Sequence, residues 1–519
     1  MCEVEDKNIS QKVTQSRNMT RVLLLCMPDI YQSWHELHIK GPWLGGASIA
    51  GNCLKHEVYV ADLVLKRKDV KKGIDEAINS TNPEIIGLSA MTFQYPTSVR
   101  IAQYIKKNYP GIPVALGGYH ATSERKETAN SEEGKVFDYI FTGETEHTFN
   151  QFLNRESLEN ISGLSFIRNG KWVHNQRHCA IGIEHGLDSI KPPKRDSRIW
   201  TGYHFHDRTV DTAEFSRGCD YSCTFCSMRA MMPKARFMTY NLDRVMHDLK
   251  SARARGTESI FFCDDNPAMY PELFMQFLGR IQKEKLDDMY YSGMVSTKSM
   301  TDPHITKRMR QINWDFVFLG VENIYETILK GMRKRSSEDI ASRALDSLYD
   351  AGITVLAGII AGNPDDTEQT IRGNYQWFYN HPVDSIMPQF LTPYPGTVIR
   401  KELLEEGLVI NKGGMDNVYG GWSTYNGEFA HCKTRSGLMP ADIEKIVYEE
   451  HMNFRKHRLG KLITGKLNFA KNNPKHLAHW AAAEIGPTIM RAIRERTLNS
   501  SEKAEAYRQR KIAMNQFNI

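Results

Sequence analysis

Short apolar runs alternate with longer amphipathic runs through residues 21–141, and the same alternation resumes after Thr212. A parallel strand is buried on both faces, whereas its crossover helix buries one stripe, so the pattern predicts two parallel sheets wrapped by helices. The first set of strands is expected at 22–26, 58–61, 85–89, 114–116 and 139–141. The second is expected at 214–216, 259–263, 290–295, 317–321, 355–361 and 386–391, six β/α units, which suits a partial (β/α)6 barrel better than a closed eight-stranded one. Between the sets, 165–167 and 171–173 read as a strand pair turned at Asn169-Gly170, and Pro192-Pro193 reads as linker. The expected organisation is a leader over 1–18, an α/β domain over 19–150, a connecting region over 151–210, the partial barrel over 211–409 and a mainly helical region over 410–519.

Chemistry enters with Ser216-Arg217-Gly218-Cys219-Asp220-Tyr221-Ser222-Cys223-Thr224-Phe225-Cys226. Three thiolates spaced C-x3-C-x2-C can hold three corners of a [4Fe–4S] cluster and leave the fourth iron open to a ligand. A structural zinc site normally takes four Cys or His ligands, often as paired knuckles, and no second C-x2-C is present. With Phe225 before the last cysteine, the stretch resembles the signature of the radical SAM superfamily. The resemblance implies that Cys219, Cys223 and Cys226 bind the cluster and that S-adenosylmethionine chelates the open iron. One electron would then cleave it to methionine and a 5′-deoxyadenosyl radical.

Ligands of parallel sheets bind beyond the carboxyl ends of the strands, so those positions are candidates in both halves. In the first half they are Met27-Pro28-Asp29, Ser89-Ala90-Met91-Thr92, Gly117-Gly118-Tyr119-His120 and Thr142-Gly143-Glu144. Ser89-x-Met91 followed by Gly117-Gly118 resembles part of the cobalamin-binding domain, which is Rossmann-like. It implies that Ser89, Met91, Thr92, Gly117, Gly118, His120, Gly143 and Glu144 contact cobalamin. That family's D-x-H-x-x-G appears only as Asp29-Ile30-Tyr31-Gln32-Ser33-Trp34, so cobalt is expected without a His ligand from the protein. An empty domain, or a flavin or nucleotide in the crevice, are the alternatives, although no G-x-G-x-x-G follows the first strand.

In the second half the radical SAM resemblance nominates Asp264-Asp265-Asn266 for the SAM amino group, with Asp265 foremost, then Ser296, and Glu322 for ribose or amino contacts. Gly358-x-Ile360-x-Gly362-x-x-Asp365 is similar to the family's G-x-I-x-G-x-x-E, with Ile360 on adenine and Gly362 beside it. These carboxylates also suit helix caps. Met228, Met231, Met232 and Met238 read as packing, and Cys263 and Cys432 as buried or incidental thiols.

A radical partner and a methyl donor together suit methylation of a carbon too unreactive to attack SAM itself. The family also includes anaerobic oxidative cyclases, of which the magnesium-protoporphyrin ester cyclase is one, and these form the alternative activity; a non-catalytic carrier would need no open iron. The substrate is expected to be a small molecule, lipid-like or tetrapyrrole-like, with flavodoxin or ferredoxin as electron donor. Nine unpatterned or cluster-bound cysteines, no apolar run of membrane-span length and no export signal predict a reducing cytoplasm. The net charge of +6 is concentrated in 451–519, with fourteen Lys and Arg against four Asp and Glu. A solvated helical cap is the expected role of that segment, contact with a lipid surface the alternative, and no nucleic-acid motif accompanies it.

Overall fold

The computed structural model describes residues 19–30, 39–177, 181–205, 208–232, 234, 236–415, 420–468, 471 and 498–519. The leader, Tyr31 to Trp34, Cys2, Cys179 and Trp480, on which several expectations fall, lie outside them.

Five parallel strands form the first sheet in the order Glu57–Asp62, Arg21–Cys26, Ile85–Ser89, Val114–Gly117, Tyr139–Phe141. Their register aligns Cys26 with both Asp62 and Ser89, and Ser89 with Gly117, so the candidate positions share one edge. Arg21–Cys26 lies between strands that follow it in sequence, which makes the gap beside it a topological switch point, where ligands of open parallel sheets bind. Leu164–Arg168 and Lys171–His174 continue this same sheet as an antiparallel hairpin. Asn169 at φ 50° and Gly170 at φ 73° give it the two left-handed residues that a two-residue turn needs. The helix Val70–Thr81 buries Val70, Ile74, Ala77 and Ile78, and the Asp69 carboxylate caps its start by accepting from Lys72 N.

The second sheet carries six parallel strands in chain order: Arg208–Ala213, Ser259–Phe262, Tyr290–Ser296, Trp314–Glu322, Thr354–Ala361 and Ser385–Phe390. It stays open as a partial barrel, edged on one side by antiparallel His204–Phe205 and Ile39–Lys40. The first barrel strand lies earlier than the expected 214–216. The Asp264 carboxylate accepts the N–H groups of Phe215 and Ser216, drawing the chain out of the sheet, and Ser216–Arg217 pairs instead with Met238–Thr239. Beyond the barrel come the helices Pro440–Ile463 and Ser500–Met514.

Outward-facing strand residues such as Ile260, Phe262, Val295, Val317 and Leu319 join the helices in one large apolar core. The alternate residues Phe261, Met294, Phe316, Phe318, Met387 and Gln389 are only half-buried, and the register sets Met294 beside Phe318 and Phe318 beside Leu356. The barrel interior is therefore mostly apolar. Gly358 makes room in it, since a Cβ there would stand 2.5 Å from Phe318 Cζ.

Candidate active site at the domain junction

The cysteine loop leaves the first barrel strand and is held from four directions. Gly218 opens it at φ 85°, where a Cβ would stand 2.2 Å from Arg236 O, and its N–H donates to Asp265 Oδ2 at 2.9 Å. Arg229 donates to the carbonyls of Cys219 and Tyr221. Thr224 N donates to Met332 O at 3.0 Å, and Ile399 N donates to Thr224 O. On the side of the first domain, Arg177 donates to Ala230 O and Met231 O at the end of the short turn that follows the loop.

Cys219, Cys223 and Cys226 are all half-buried and free; Cys223 feels the charge of Cys219, and Cys226 that of both other thiols. Burial pushes all three thiols up, that of Cys226 to about 12, so a metal must supply the positive charge that makes them thiolates. Among the described residues no three Cys, His, Asp or Glu side chains converge as the ligands of one ion would. A [4Fe–4S] cluster asks for a different arrangement, because each thiolate holds its own iron. Three thiols on one loop, with no fourth Cys, His, Asp or Glu grouped with them among the described residues, fit such a cluster.

Around the loop, the candidate SAM contacts occupy the strand ends. Asp265 is accessible, yet desolvation pushes its carboxyl up, a combination that describes a side chain facing an enclosed space. Cys263 is likewise exposed while desolvation pushes its thiol up, so it is not the core thiol expected. Ser296 shares a hydrogen bond of 2.9 Å with Ser299. Glu322, at φ 68° beside a break in strand register, holds a salt bridge of 3.0 Å with Lys334. A Cβ on Gly320 would stand 2.7 Å from Glu322 Oε1, so the glycine leaves room for that pair. Lys334 itself feels the Glu322 carboxylate and the thiols of Cys223 and Cys226. Ile360 and Phe225 belong to one apolar cluster, and Gly362, at φ 81°, lies 3.5 Å from Ile443 by its missing Cβ. Asp365 points outward, held at 2.7 Å by Arg435, which also binds Glu406.

In the first domain a cavity of about 230 Å3 runs between the sheet and the helices Leu44–Asn52 and Glu146–Leu153. Its walls are apolar, with Leu24, Trp43, Ile49, Leu116, Phe141 and Phe149, and its mouth carries Ser89, Gly117, Gly118, Gly143 and Glu144. Gly118, at φ 91°, brings its backbone so close that a Cβ would stand 2.7 Å from Ala90 O. An apolar slot floored by glycines and rimmed by a hydroxyl fits the planar base and nucleotide tail of cobalamin. Met91, Thr92 and His120 do not line it. Met91 is 40% exposed beyond the strand end, and Thr92 is fully buried where the next helix begins. His120 stacks on Tyr95 with ring centroids 3.9 Å apart, and burial lowers its pKa to about 3, so it stays neutral inside the fold.

The two halves of the site meet at Arg217, a residue that the motif reading passed over. Its guanidinium holds Glu214 at 2.7 Å from its own loop, and Glu144 and Glu146 at 2.8 and 2.7 Å from the other domain. Arg217 and Met231, which flank the cysteines, both line the cavity of the first domain. Tyr119 OH donates to Pro395 O at 2.5 Å, and a Cβ on Gly396 would stand 2.8 Å from Ala230 Cβ, so the sixth strand's exit loop closes against the same junction.

A three-cysteine loop following the first strand of an open six-stranded barrel, set against an α/β domain with an apolar, glycine-rimmed cavity, is the arrangement of a radical enzyme with a second cofactor site. Residues 213–378 match the radical SAM superfamily and residues 36–153 match the B12 binding domain. An uncharacterized methyltransferase of Pyrococcus horikoshii is 25% identical over 396 residues, 75% of this chain and 84% of that protein. The hopanoid C-3 methylase of Methylococcus capsulatus is 26% identical over 66% of this chain and 64% of its own length. The anaerobic magnesium-protoporphyrin IX monomethyl ester cyclase of Rubrivivax gelatinosus is 23% identical over 64% of this chain and 60% of its own length. Among solved structures, the radical SAM methyltransferase TsrM of Kitasatospora setae, with cobalamin and a [4Fe–4S] cluster bound, superposes with a TM-score of 0.62 at 16% identity, over 78% of this chain and 84% of that one. The cobalamin-dependent radical SAM enzyme OxsB, with aqua-cobalamin bound, gives a TM-score of 0.63 at 14% identity, over 97% and 77%. The chain belongs to the radical SAM enzymes that carry an N-terminal B12-binding domain, and its cofactors are a [4Fe–4S] cluster, S-adenosylmethionine and cobalamin.

Proposed function

We propose that this enzyme methylates an unactivated carbon of a small, largely apolar substrate. One observation carries the reading: Arg217 and Met231, on either side of the cluster cysteines, line the cavity that suits the cobalamin tail, so the two cofactor sites share a wall. Bound there, SAM cleaved at the cluster supplies a hydrogen-abstracting radical and cobalamin supplies the methyl group. The protein's own part is placement. Cys219, Cys223 and Cys226 hold the cluster; Asp265, Ser296, Glu322, Ile360 and Gly362 receive SAM; Ser89, Gly117, Gly118, Gly143 and Glu144 receive the corrinoid's tail. The barrel interior of Phe261, Met294, Phe318 and Met387 offers the target an apolar surface and excludes water, which would otherwise compete for the site. Apolar side chains of this kind favour a lipid-like or tetrapyrrole-like reacting group over a charged one.

Among the described residues no helix is long and apolar enough to cross a membrane. Two basic residues of the segment after His451 are engaged internally, Lys511 with Glu428 and Arg508 with Glu444, which supports a cap over the barrel more than a lipid contact. The seven cysteines among the described residues are all free, which suits a reducing compartment, where a flavodoxin or ferredoxin would deliver the electron.

The test needs no substrate. Protein reconstituted anaerobically with iron, sulfide and hydroxocobalamin is reduced and given SAM labelled on its methyl group. Label transferred to the bound corrinoid, with S-adenosylhomocysteine released beside 5′-deoxyadenosine, is the expected result. 5′-Deoxyadenosine alone, with the corrinoid unlabelled, would overturn methylation in favour of the oxidative cyclase class.

A further inference from the structure

The last helix reaches back across the whole chain to the switch point of the first sheet. Asn515, just beyond Ser500–Met514, binds the backbone of Ile30 from both sides: Ile30 N donates to its Oδ1 at 3.4 Å, and its Nδ2 donates to Ile30 O at 3.2 Å. Arg67 fixes the amide's orientation by donating to Oδ1 at 3.1 Å. Phe517 and Ile519 pack on the apolar core of the first domain, and the Arg67 guanidinium lies 5.7 Å from the Phe517 ring centroid.

Ile30 is not an incidental target, because it follows the carboxyl end of the central strand Arg21–Cys26 at the switch point. From there a chain of hydrogen bonds continues through the neighbouring loop. Asp29 O accepts from Gln94 Nε2 at 2.9 Å, and Gln94 Oε1 accepts from Met91 N at 2.9 Å. Asp29 Oδ1 accepts from Thr97 at 2.8 Å. The loops that flank the switch point, after Cys26 and after Ser89, are thus knitted together and anchored at one end by Asn515. The other end of the anchor is the barrel side, where Arg508 and Lys511 of the same helix engage Glu444 and Glu428.

We propose that Asn515 is a positioning residue for the corrinoid: it fixes the loop after the central strand and ties the shape of the crevice to the docking of the last helix on the barrel region. The inference rests on the cobalamin reading above. A reciprocal amide clamp is suited to the task, since it satisfies the backbone donor and acceptor of one residue, in two successive peptide units, and so fixes the orientation of both.

Hydroxocobalamin is the probe. Its dissociation constant and bound absorption spectrum are measured for the unaltered full chain, for Asn515→Ala and for Asn515→Asp, together with iron content, 5′-deoxyadenosine formation and amide exchange at Ile30. Asn515→Ala is expected to weaken corrinoid binding about tenfold, as the loss of two hydrogen bonds implies. Its bound spectrum should change, with iron content and 5′-deoxyadenosine formation unaltered. Asn515→Asp, which keeps the acceptor but loses the donor, should fall between. Unchanged affinity and spectrum in Asn515→Ala, even with faster exchange at Ile30, would reduce the clamp to a structural tether and overturn the proposal. An unaltered chain that takes up no hydroxocobalamin would instead overturn the cobalamin reading on which it rests.

Discussion

Arg217→Gln removes one cation from the middle of three carboxylates, and its consequences can be worked out from the contacts. Arg217 holds Glu214, Glu144 and Glu146 at 2.7 to 2.8 Å, with 13% of its side chain exposed. At an effective dielectric of about 20, opposite charges about 4 Å apart attract by about 4 kcal/mol, and breaking a buried pair by removing one partner costs about 3–5 kcal/mol. Spread over the unfolding entropy of 519 residues, this is a loss on the order of 3–5 °C in apparent melting temperature. The pH dependence is the sharper test. Burial alone would push the Glu146 carboxyl up, but the Arg217 charge and hydrogen bond, with help from Ser48, pull it below its ordinary value. A depressed carboxyl stabilises the fold above its unfolded pKa and loses that contribution as pH falls through the folded value. Without Arg217 the burial effect is opposed only by the hydrogen bonds from Ser48 and the backbone and the carboxyl rises, so the variant's penalty is full at neutral pH and shrinks as acid protonates Glu146. Scanning fluorimetry of both proteins from about pH 8 down to about pH 5 should show the gap narrowing toward the acidic end. A gap that is constant across that range, or smaller than about 2 °C, would refute the reasoning.

Cys223→Ala should abolish the cluster and 5′-deoxyadenosine formation together, read by iron and sulfide assay on anaerobically prepared protein; full SAM cleavage by this variant would remove the assignment. Gly118→Val should lose corrinoid binding while keeping iron, because a β-branched residue cannot hold φ 91° and its Cβ would stand 2.7 Å from Ala90 O. Lys334→Met should leave the Glu322 carboxylate without its partner, at a cost of about 3–5 kcal/mol, and lower the cluster's reduction potential by removing a nearby positive charge; a redox titration followed by electron paramagnetic resonance checks it, and an unchanged or raised potential would count against the placement of Lys334 beside the thiols.

How much of this was legible in sequence follows from where each signal lives. Strand interiors were readable because burial on both faces leaves continuous apolar runs, and five of the six barrel strands stand within a few residues of expectation. The first did not, because its end is set by Asp264, a residue about fifty positions downstream whose caps on Phe215 and Ser216 no local pattern reveals. Spacing alone exposed the cysteine loop. By contrast, Lys334 and Arg217 belong to no motif; their roles come from long-range partners, and an adjacency such as Arg217 next to Gly218-Cys219 is the only hint the sequence offers. His120 was nominated for its place after Gly117-Gly118, yet the short helix it enters turns its ring inward onto Tyr95. A position after a strand predicts a loop's neighbourhood, not the direction of its side chains.

The density of contacts on the cysteine loop has a mechanistic consequence. A radical formed at one cofactor must reach a carbon that also lies within reach of the other, so errors in the relative placement of the two sites translate directly into lost productive geometry. Tethering each site only to its own domain would leave that placement to a domain interface, which by default permits motion. Here the loop is tied to both. Thr224 and Ile399 fix it to the barrel, while Arg217 and Arg177 fix it to the first domain or the segment leaving it. Tyr119, directly after Gly118 at the rim of the nucleotide cavity, bonds to Pro395 in the loop that leaves the sixth strand. The cysteine loop is therefore braced against both the barrel and the first domain, which restricts how far the two halves of the site can shift against each other.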